Sequence, residues 1–157
     1  TTSAPTAAPR RYAFLGGVVT VLLDGAATEG RQAVLEQRLP DGTATPLHVH
    51  DAEDETFLVL EGAITVLRGD TTLRAGAGDV VFLPRGVPHA FRVDTPEALL
   101  VDIVGPAGHE RFFALAGEEI PPGDAAAADR PVDPARMMAA AAATGLRILG
   151  PPPFDAA

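Results

Sequence analysis

Residues 42–62 read GTATPLHVHDAEDETFLVLEG, and they carry two of the four histidines in the chain. His48 and His50 stand one residue apart, and because side chains alternate across a β-strand, both imidazoles point to the same side. Glu55 opens the next apolar run, TFLVL. If that run is a strand whose Glu55 face turns inward, its carboxylate meets the two imidazoles. The stretch therefore predicts a site built from histidine and glutamate.

A second segment, residues 78–93, reads GDVVFLPRGVPHAFRV and brings His89 from another strand. Three imidazoles and one carboxylate on rigid strands form a donor set for a divalent transition metal, with room for two further ligands. Open positions of this kind suit a metal that activates oxygen or acts as a Lewis acid. The donor set does not choose among nickel, cobalt, manganese, iron and zinc. A cluster that binds no metal is the alternative.

The composition excludes several kinds of chemistry. The 157 residues fit one domain, and 12 basic against 21 acidic residues give a net charge of −9, which disfavours nucleic acid as a partner. Cysteine and lysine are absent and Ser3 is the only serine, so a cysteine or lysine nucleophile is excluded and a serine triad is disfavoured. No apolar run could cross a membrane, and the first residues lack the apolar core of a signal peptide. We therefore expect a cytoplasmic protein without a membrane partner.

The chain divides into three parts. Residues 1–11 are expected to form a flexible N-terminal arm. Residues 12–117 show short apolar or alternating runs with turn signals about every ten residues, which predicts a β-sandwich or barrel, followed by a short terminal helix. Residues 118–157 form an extension rich in proline and alanine.

The extension contains one predicted helix. Asp133 suits the N-cap, Pro134 the first helical position, and Gly145 the position past the end. The final apolar run, LRILG, predicts a strand or an extended arm packed on the barrel.

The two histidine segments together resemble the cupin family. The first cupin motif, G(x)5HxH(x)4E(x)6G, and the second, G(x)5PxG(x)2H, both fit without a spacing error, on Gly42, His48, His50, Glu55, Gly62, Gly78, Pro84, Gly86 and His89. The resemblance implies an all-β cupin barrel of jelly-roll type with a short C-terminal helical extension. It also implies one divalent metal held by His48, His50, Glu55 and His89, and a homodimer formed through the N-terminal strands.

Beyond the motifs, the segments around residues 105–119 and 133–153 resemble small bacterial single-domain (monocupin) quercetinase-like cupins. That resemblance implies a metal-dependent dioxygenase acting on a small molecule, an aromatic or enolisable hydroxy-ketone, with Glu55 as catalytic base. One departure is Val93, where the second motif usually ends in asparagine. A metal-assisted isomerase, decarboxylase or lyase, and a binding protein without turnover, are the alternatives.

Three apolar residues share the inward side with Glu55 and His89, and they are candidates for a substrate pocket, with plain core filling as the alternative: Phe57, Phe91 and Val93. Asp102 lies within an apolar run, and we expect it on the solvent face or at a strand end. His109 falls outside both motifs and is expected on the surface, near the start of the short helix.

Overall fold

Across residues 9–124 and 130–155, the part of the chain that it describes, the computed structural model contains twelve β-strands and two α-helices. The strands are β1 (Arg10–Phe14), β2 (Gly17–Leu23), β3 (Ala33–Pro40), β4 (Leu47–His50), β5 (Asp54–Glu61), β6 (Ala63–Arg68), β7 (Thr71–Gly76), β8 (Val80–Leu83), β9 (His89–Val93), β10 (Glu97–Gly105), β11 (Glu118–Ile120) and β12 (Leu146–Gly150). The helices are α1 (His109–Ala116) and α2 (Pro134–Thr144).

The strands form two antiparallel sheets. One has seven strands in the order β11-β1-β2-β3-β10-β5-β8, and the other has five in the order β12-β4-β9-β6-β7. Neighbours in space are mostly distant in sequence, as in a jelly roll, in which the chain crosses repeatedly between two facing sheets. The predicted all-β jelly-roll fold with a C-terminal helix is confirmed.

A tight turn at Gly62 connects the two sheets between β5 and β6. Its φ is +77°, which only glycine adopts without strain, and a Cβ at this position would collide with the carbonyl oxygen of Glu97. The first cupin motif therefore ends in glycine because the backbone at the start of β10 passes directly over the turn.

Two apolar clusters fill the interior. The first lies between the sheets and includes Phe57, Ile64 and Leu100. The second lies at one end of the barrel, where Phe14 of β1 packs edge-on against Phe112 and Phe113 of α1, with α2 and β12 beside them. Burial of an aromatic side chain contributes roughly 1.5–3 kcal/mol, so the helices are held to the barrel mainly by this second cluster.

The C-terminal extension contributes an edge strand to each sheet. β11 pairs with β1, and β12 pairs with β4. The predicted helix is present as α2: the Asp133 carboxylate accepts a hydrogen bond from the backbone N–H of Ala135 at 2.9 Å, and Gly145 has a left-handed φ of 74°. β12 thereby reaches the strand that carries His48 and His50.

At the N-terminus, β1 begins at Arg10, so the last two residues of the expected arm belong to the seven-stranded sheet. Residues 1–8 of that arm, and residues 125–129 and 156–157 of the extension, lie outside the described part of the chain. Within the described part, neither helix has the length and hydropathy needed to cross a membrane.

Candidate metal centre

Three strands from the two sheets bring four polar side chains together. His48 and His50 come from β4, His89 from the neighbouring β9, and Glu55 from β5 of the opposite sheet. His48 and His89 are direct cross-strand partners, and their rings lie 4.4 Å apart. One possible ligand atom from each of the four residues lies within 4.8 Å of the others. The structure thus joins the four residues that the motifs single out.

Backbone carbonyl groups orient two of the imidazoles. Nδ1 of His48 lies 2.7 Å from the carbonyl oxygen of Pro46, and Nδ1 of His89 lies 3.3 Å from that of Val87. Because a carbonyl oxygen can only accept, each Nδ1 must carry the hydrogen. In the neutral ring the free lone pair is then on Nε2, and a hydrogen bond of this kind is what commonly fixes a metal-binding histidine.

Glu55 is 3% exposed and faces two of these nitrogens with one oxygen. Its Oε2 lies 3.3 Å from Nε2 of His50 and 3.1 Å from Nε2 of His89. Burial would raise the pKa of Glu55, but the charge of His50 and the contact with its imidazole hold that pKa well below its ordinary value. Glu55 is therefore a buried, ionised carboxylate.

The pKa values of His48 and His50 are shifted in opposite directions. Burial of His48, reinforced by neighbouring His89, lowers its pKa to about 3, so its ring is neutral. Burial would also lower the pKa of His50, but Glu55 and Glu53 outweigh it and raise the pKa to about 9. Without a metal, the cluster therefore retains one proton at His50 near neutral pH.

The donor set fits a divalent transition metal. A carboxylate oxygen and an imidazole lone pair repel each other unless a positive charge lies between or beside them. A proton fulfils this role only in part, because Nε2 of His50 is buried without a hydrogen-bond partner among the described residues. Three nitrogen atoms and one carboxylate oxygen suit zinc, nickel, cobalt, iron and manganese. The cluster could hold one such ion, and the described residues do not select among these metals.

His109 lies beside this cluster, which corrects the expectation that it is on the surface. It is 7% exposed, its ring is perpendicular to that of His50 at 4.5 Å, and its Nε2 lies 3.9 Å from Oε1 of Glu55. Burial, with the charge of His50, lowers its pKa well below the ordinary value. The sequence did carry a signal: His109, Phe112, Phe113 and Ala116 follow helical spacing and form the buried face of α1.

Asp102 is also inside the barrel, so the expectation of a solvent-facing position is wrong. It is fully buried in β10, and its Oδ2 accepts a hydrogen bond from Nε2 of Gln37 at 3.2 Å. Burial and the charge of Glu55 raise its pKa well above the ordinary value. Strand alternation could have placed it, because Leu100, Asp102 and Val104 share one side of β10 and both apolar neighbours face inward.

A cavity adjoins the cluster and is mostly apolar. Phe57 and Phe91, two of the three predicted pocket residues, line it, and their rings meet edge-on at 5.3 Å. Val93 does not reach the cavity, because it packs in the core between the sheets, where it pairs with Ile64. The remaining wall includes Phe112 of α1, Met137 of α2 and Ile148 of β12. The C-terminal elements therefore close one side of the cavity next to His48 and Glu55.

Two facing antiparallel sheets around a His3Glu cluster define a jelly-roll barrel protein with a possible metal site. Residues 35–104 match the family model described as "Cupin domain". This segment, somewhat less than half of the chain, contains a cupin domain, and the two-sheet architecture agrees with the fold of a small cupin.

Comparison with known proteins gives partial matches. The chain is 29% identical over 91 residues to quercetin 2,3-dioxygenase of Bacillus subtilis (strain 168), covering 58% of this chain and 27% of that protein. It is 41% identical over 64 residues to dimethylsulfoniopropionate lyase DddQ of Ruegeria pomeroyi, covering 40% of this chain and 32% of that one. The chain thus spans about a third or less of the length of these relatives.

The fold also matches solved structures. KdgF from Halomonas sp. superposes with a TM-score of 0.56 at 18% identity, over 62% of this chain and 84% of that one. At this identity the likeness concerns the fold alone, and it agrees with the two-sheet architecture described above.

Proposed function

We propose that this small cupin is a metal-dependent dioxygenase of the quercetinase-like group, acting on an aromatic or enolisable hydroxy-ketone. The observation that carries the proposal is the position of the His48, His50, Glu55 and His89 cluster at the end of a cavity lined by aromatic side chains. An apolar, aromatic wall favours a ring-bearing substrate over a small charged one. The match to quercetin 2,3-dioxygenase supports the same class.

In this proposal the four clustered residues hold one divalent metal. The bound metal supplies Lewis acidity toward substrate oxygen atoms and open positions for oxygen chemistry. The imidazoles of His48 and His89 are held in place by the carbonyl groups of Pro46 and Val87, so little ordering is required when the ion arrives.

Glu55 is proposed to act as the base. Its Oε2 faces His50 and His89, whereas Oε1 is directed toward His109, and Oε1 is the oxygen that we assign to take a proton from a substrate hydroxyl. Despite burial, the contacts of Glu55 keep its pKa below the ordinary value, so the carboxylate is ionised and can accept a proton. An enol or phenol hydroxyl, whose anion is delocalised onto a neighbouring carbonyl, suits a carboxylate base.

A lyase, isomerase or decarboxylase that uses the metal only as a Lewis acid is the second candidate. The 41% identity to dimethylsulfoniopropionate lyase DddQ over 64 residues favours it. In that case Glu55 would remove a proton from carbon next to a carbonyl, and oxygen would not be consumed. A binding protein without turnover is distinguished from both, because its ligand is recovered unchanged with and without oxygen.

The test is to prepare the metal-free protein, load it separately with iron, manganese, cobalt and nickel, and measure oxygen uptake with a panel of aromatic hydroxy-ketones that includes quercetin. Metal content is determined for each preparation. The proposal expects oxygen uptake with at least one metal and one ring-bearing hydroxy-ketone. Substrate conversion without oxygen uptake would support the lyase class instead.

We also propose that the protein works in the cytoplasm as a homodimer, which remains a prediction from the family resemblance. Analytical ultracentrifugation at several concentrations tests the dimer, and a single species of monomer mass at every concentration would contradict it.

A further inference from the structure

Few polar groups line the cavity. Among the described residues, its polar lining consists of Gln37, Thr45, His48, Glu55 and His109. His48 and Glu55 belong to the proposed metal centre. The amide of Gln37 donates to Asp102, and the hydroxyl oxygen of Thr45 accepts from the backbone N–H of Phe91 at 3.0 Å.

His109 is different, because the hydrogen bonds found among the described residues do not include its ring. The ring is held in place by packing instead: it stacks on Phe112 at 5.7 Å and meets Phe113 edge-on at 4.8 Å. A polar group that is fixed by apolar neighbours and left with unused hydrogen-bonding capacity beside a cavity is suited to bind a ligand atom.

The distance to Glu55 shows where that atom would lie. Nε2 of His109 and Oε1 of Glu55 are 3.9 Å apart, which is too far for a direct hydrogen bond. A single oxygen atom placed between them can lie about 2.8 Å from both atoms, which is an ordinary hydrogen-bond distance. A carboxylate opposite the ring favours the tautomer with its hydrogen on Nε2, so the ring presents a donor to that oxygen.

We propose that His109 is a catalytic residue of this site: its Nε2–H donates a hydrogen bond to the substrate hydroxyl oxygen whose proton passes to Oε1 of Glu55. In this step the O–H bond breaks, the proton binds the carboxylate, and the electron pair stays on the oxygen, which the imidazole N–H stabilises. This inference rests on the proposed role of Glu55 as base. It names the substrate class more closely as a compound with a hydroxyl group on a planar, apolar body.

The test uses 4-nitrocatechol, an aromatic probe whose colour reports the ionisation of its hydroxyl groups, with the 157-residue chain loaded with cobalt. Its dissociation constant and the pH midpoint of its ionisation when bound are measured by absorbance for the wild type and three variants. His109→Phe removes the donor but retains an aromatic ring beside Phe112 and Phe113. His109→Gln retains an N–H donor near the Nε2 position, and His109→Leu is a second variant without a donor.

We expect the two donor-free variants to bind the probe about tenfold more weakly and to ionise it at higher pH, because a hydrogen bond to a charged oxygen is lost. His109→Gln should remain within about threefold of the wild type. Met138→Leu, a change at an exposed position of α2 that does not line the cavity, is the matched control and should leave the affinity and the ionisation midpoint unchanged. Cobalt content should match the wild type throughout.

An unchanged midpoint and affinity in both donor-free variants would overturn the proposal. Loss of cobalt in those variants would overturn it as well, because His109 would then be a metal ligand. If no hydroxy-ketone supports oxygen uptake, the dioxygenase proposal fails, whereas the probe result still decides the role of His109.

Discussion

Oε2 of Glu55 lies 3.3 Å from Nε2 of His50, deep in the barrel, so a positive charge on or beside this imidazole stabilises the carboxylate. In the metal-free protein that charge is a proton, because Glu55 and Glu53 overcome the effect of burial and raise the pKa of His50 to about 9. A divalent ion placed among the same residues must displace this proton. Metal binding and proton release are therefore coupled.

Metal affinity should increase with pH up to about 9. Below that pH His50 is protonated in the metal-free state, so each pH unit toward 9 strengthens binding roughly tenfold. His48, whose pKa is about 3, contributes no competing proton near neutrality. Calorimetric titration of cobalt at pH 7.5, in buffers of different ionisation enthalpy, should show release of about one proton from the protein. An affinity that does not vary between pH 7 and 9 would contradict this coupling.

His89→Ala should remove most of the metal. The change deletes a proposed ligand from β9 and leaves Glu55 with one imidazole contact fewer. Elemental analysis after loading and gel filtration should show a stoichiometry far below one ion per chain, with the fold retained by circular dichroism. His109→Phe is the control, since His109 is a buried imidazole of the same neighbourhood that lies outside the proposed ligand set. Equal metal content in wild type and His89→Ala would show that the ligand set is wrongly assigned.

The sequence predicts the histidine cluster and the turn at Gly62 well, because the residues involved are close together in the chain. Alternation within one strand puts His48 and His50 on the same side, and the motif spacing fixes the turn at Gly62 between β5 and β6. These relationships need only short-range geometry. They define the cluster before any long-range packing is known.

The residues around the cluster depend on contacts between distant segments. β12 pairs with β4 about a hundred residues earlier in the chain, as in Leu146 beside His50, and no short-range pattern specifies that pairing. The expected positions of Asp102 and His109 are wrong for another reason. Polar residues are usually exposed, but strand alternation in β10 and helical spacing in α1 place these two residues inside.

Glu55→Gln should abolish turnover and retain part of the metal. The amide oxygen can still coordinate weakly, but the side chain no longer accepts a proton, and loss of a general base lowers turnover by roughly 100-fold or more. Turnover is followed by oxygen uptake or substrate loss, normalised to metal content. Glu36→Gln, on the outer face of β3, is a matched control for removing one carboxylate. Full activity of Glu55→Gln per bound metal would remove Glu55 from the mechanism.

Gly62→Ala should destabilise the fold more than Gly42→Ala. Both glycines have positive φ, +77° and +74°, so both substitutions carry the cost of left-handed backbone, about 1–2 kcal/mol. Only at Gly62 does the added methyl group collide with other backbone, at the carbonyl of Glu97, whereas no heavy atom lies within 4 Å of the corresponding position at Gly42. The collision should add about 1–3 kcal/mol. Free energies of unfolding in urea measure the difference, and equal losses would show that the turn relaxes.

Asp102→Asn should stabilise the metal-free protein at alkaline pH relative to the wild type. Burial and the charge of Glu55 raise the pKa of Asp102 in the folded state above that of the unfolded chain. Between those two values the folded state binds the extra proton, so the contribution of Asp102 to stability is fully present at low pH and declines as pH rises. Asparagine has nearly the same shape, can still accept the hydrogen bond from Gln37, and has no such dependence.

The free energy difference between Asp102→Asn and wild type should therefore grow from pH 4.5 to pH 8 in favour of the variant. Urea unfolding with a chelator present measures it, and comparison within the pair cancels the titration of the histidines, which both proteins share. A difference that stays constant with pH would mean that Asp102 titrates alike in the folded and unfolded chains. The carboxyl beside Glu55 would then be ionised in the folded protein, and the metal-free cluster would carry one more negative charge than the geometry implies.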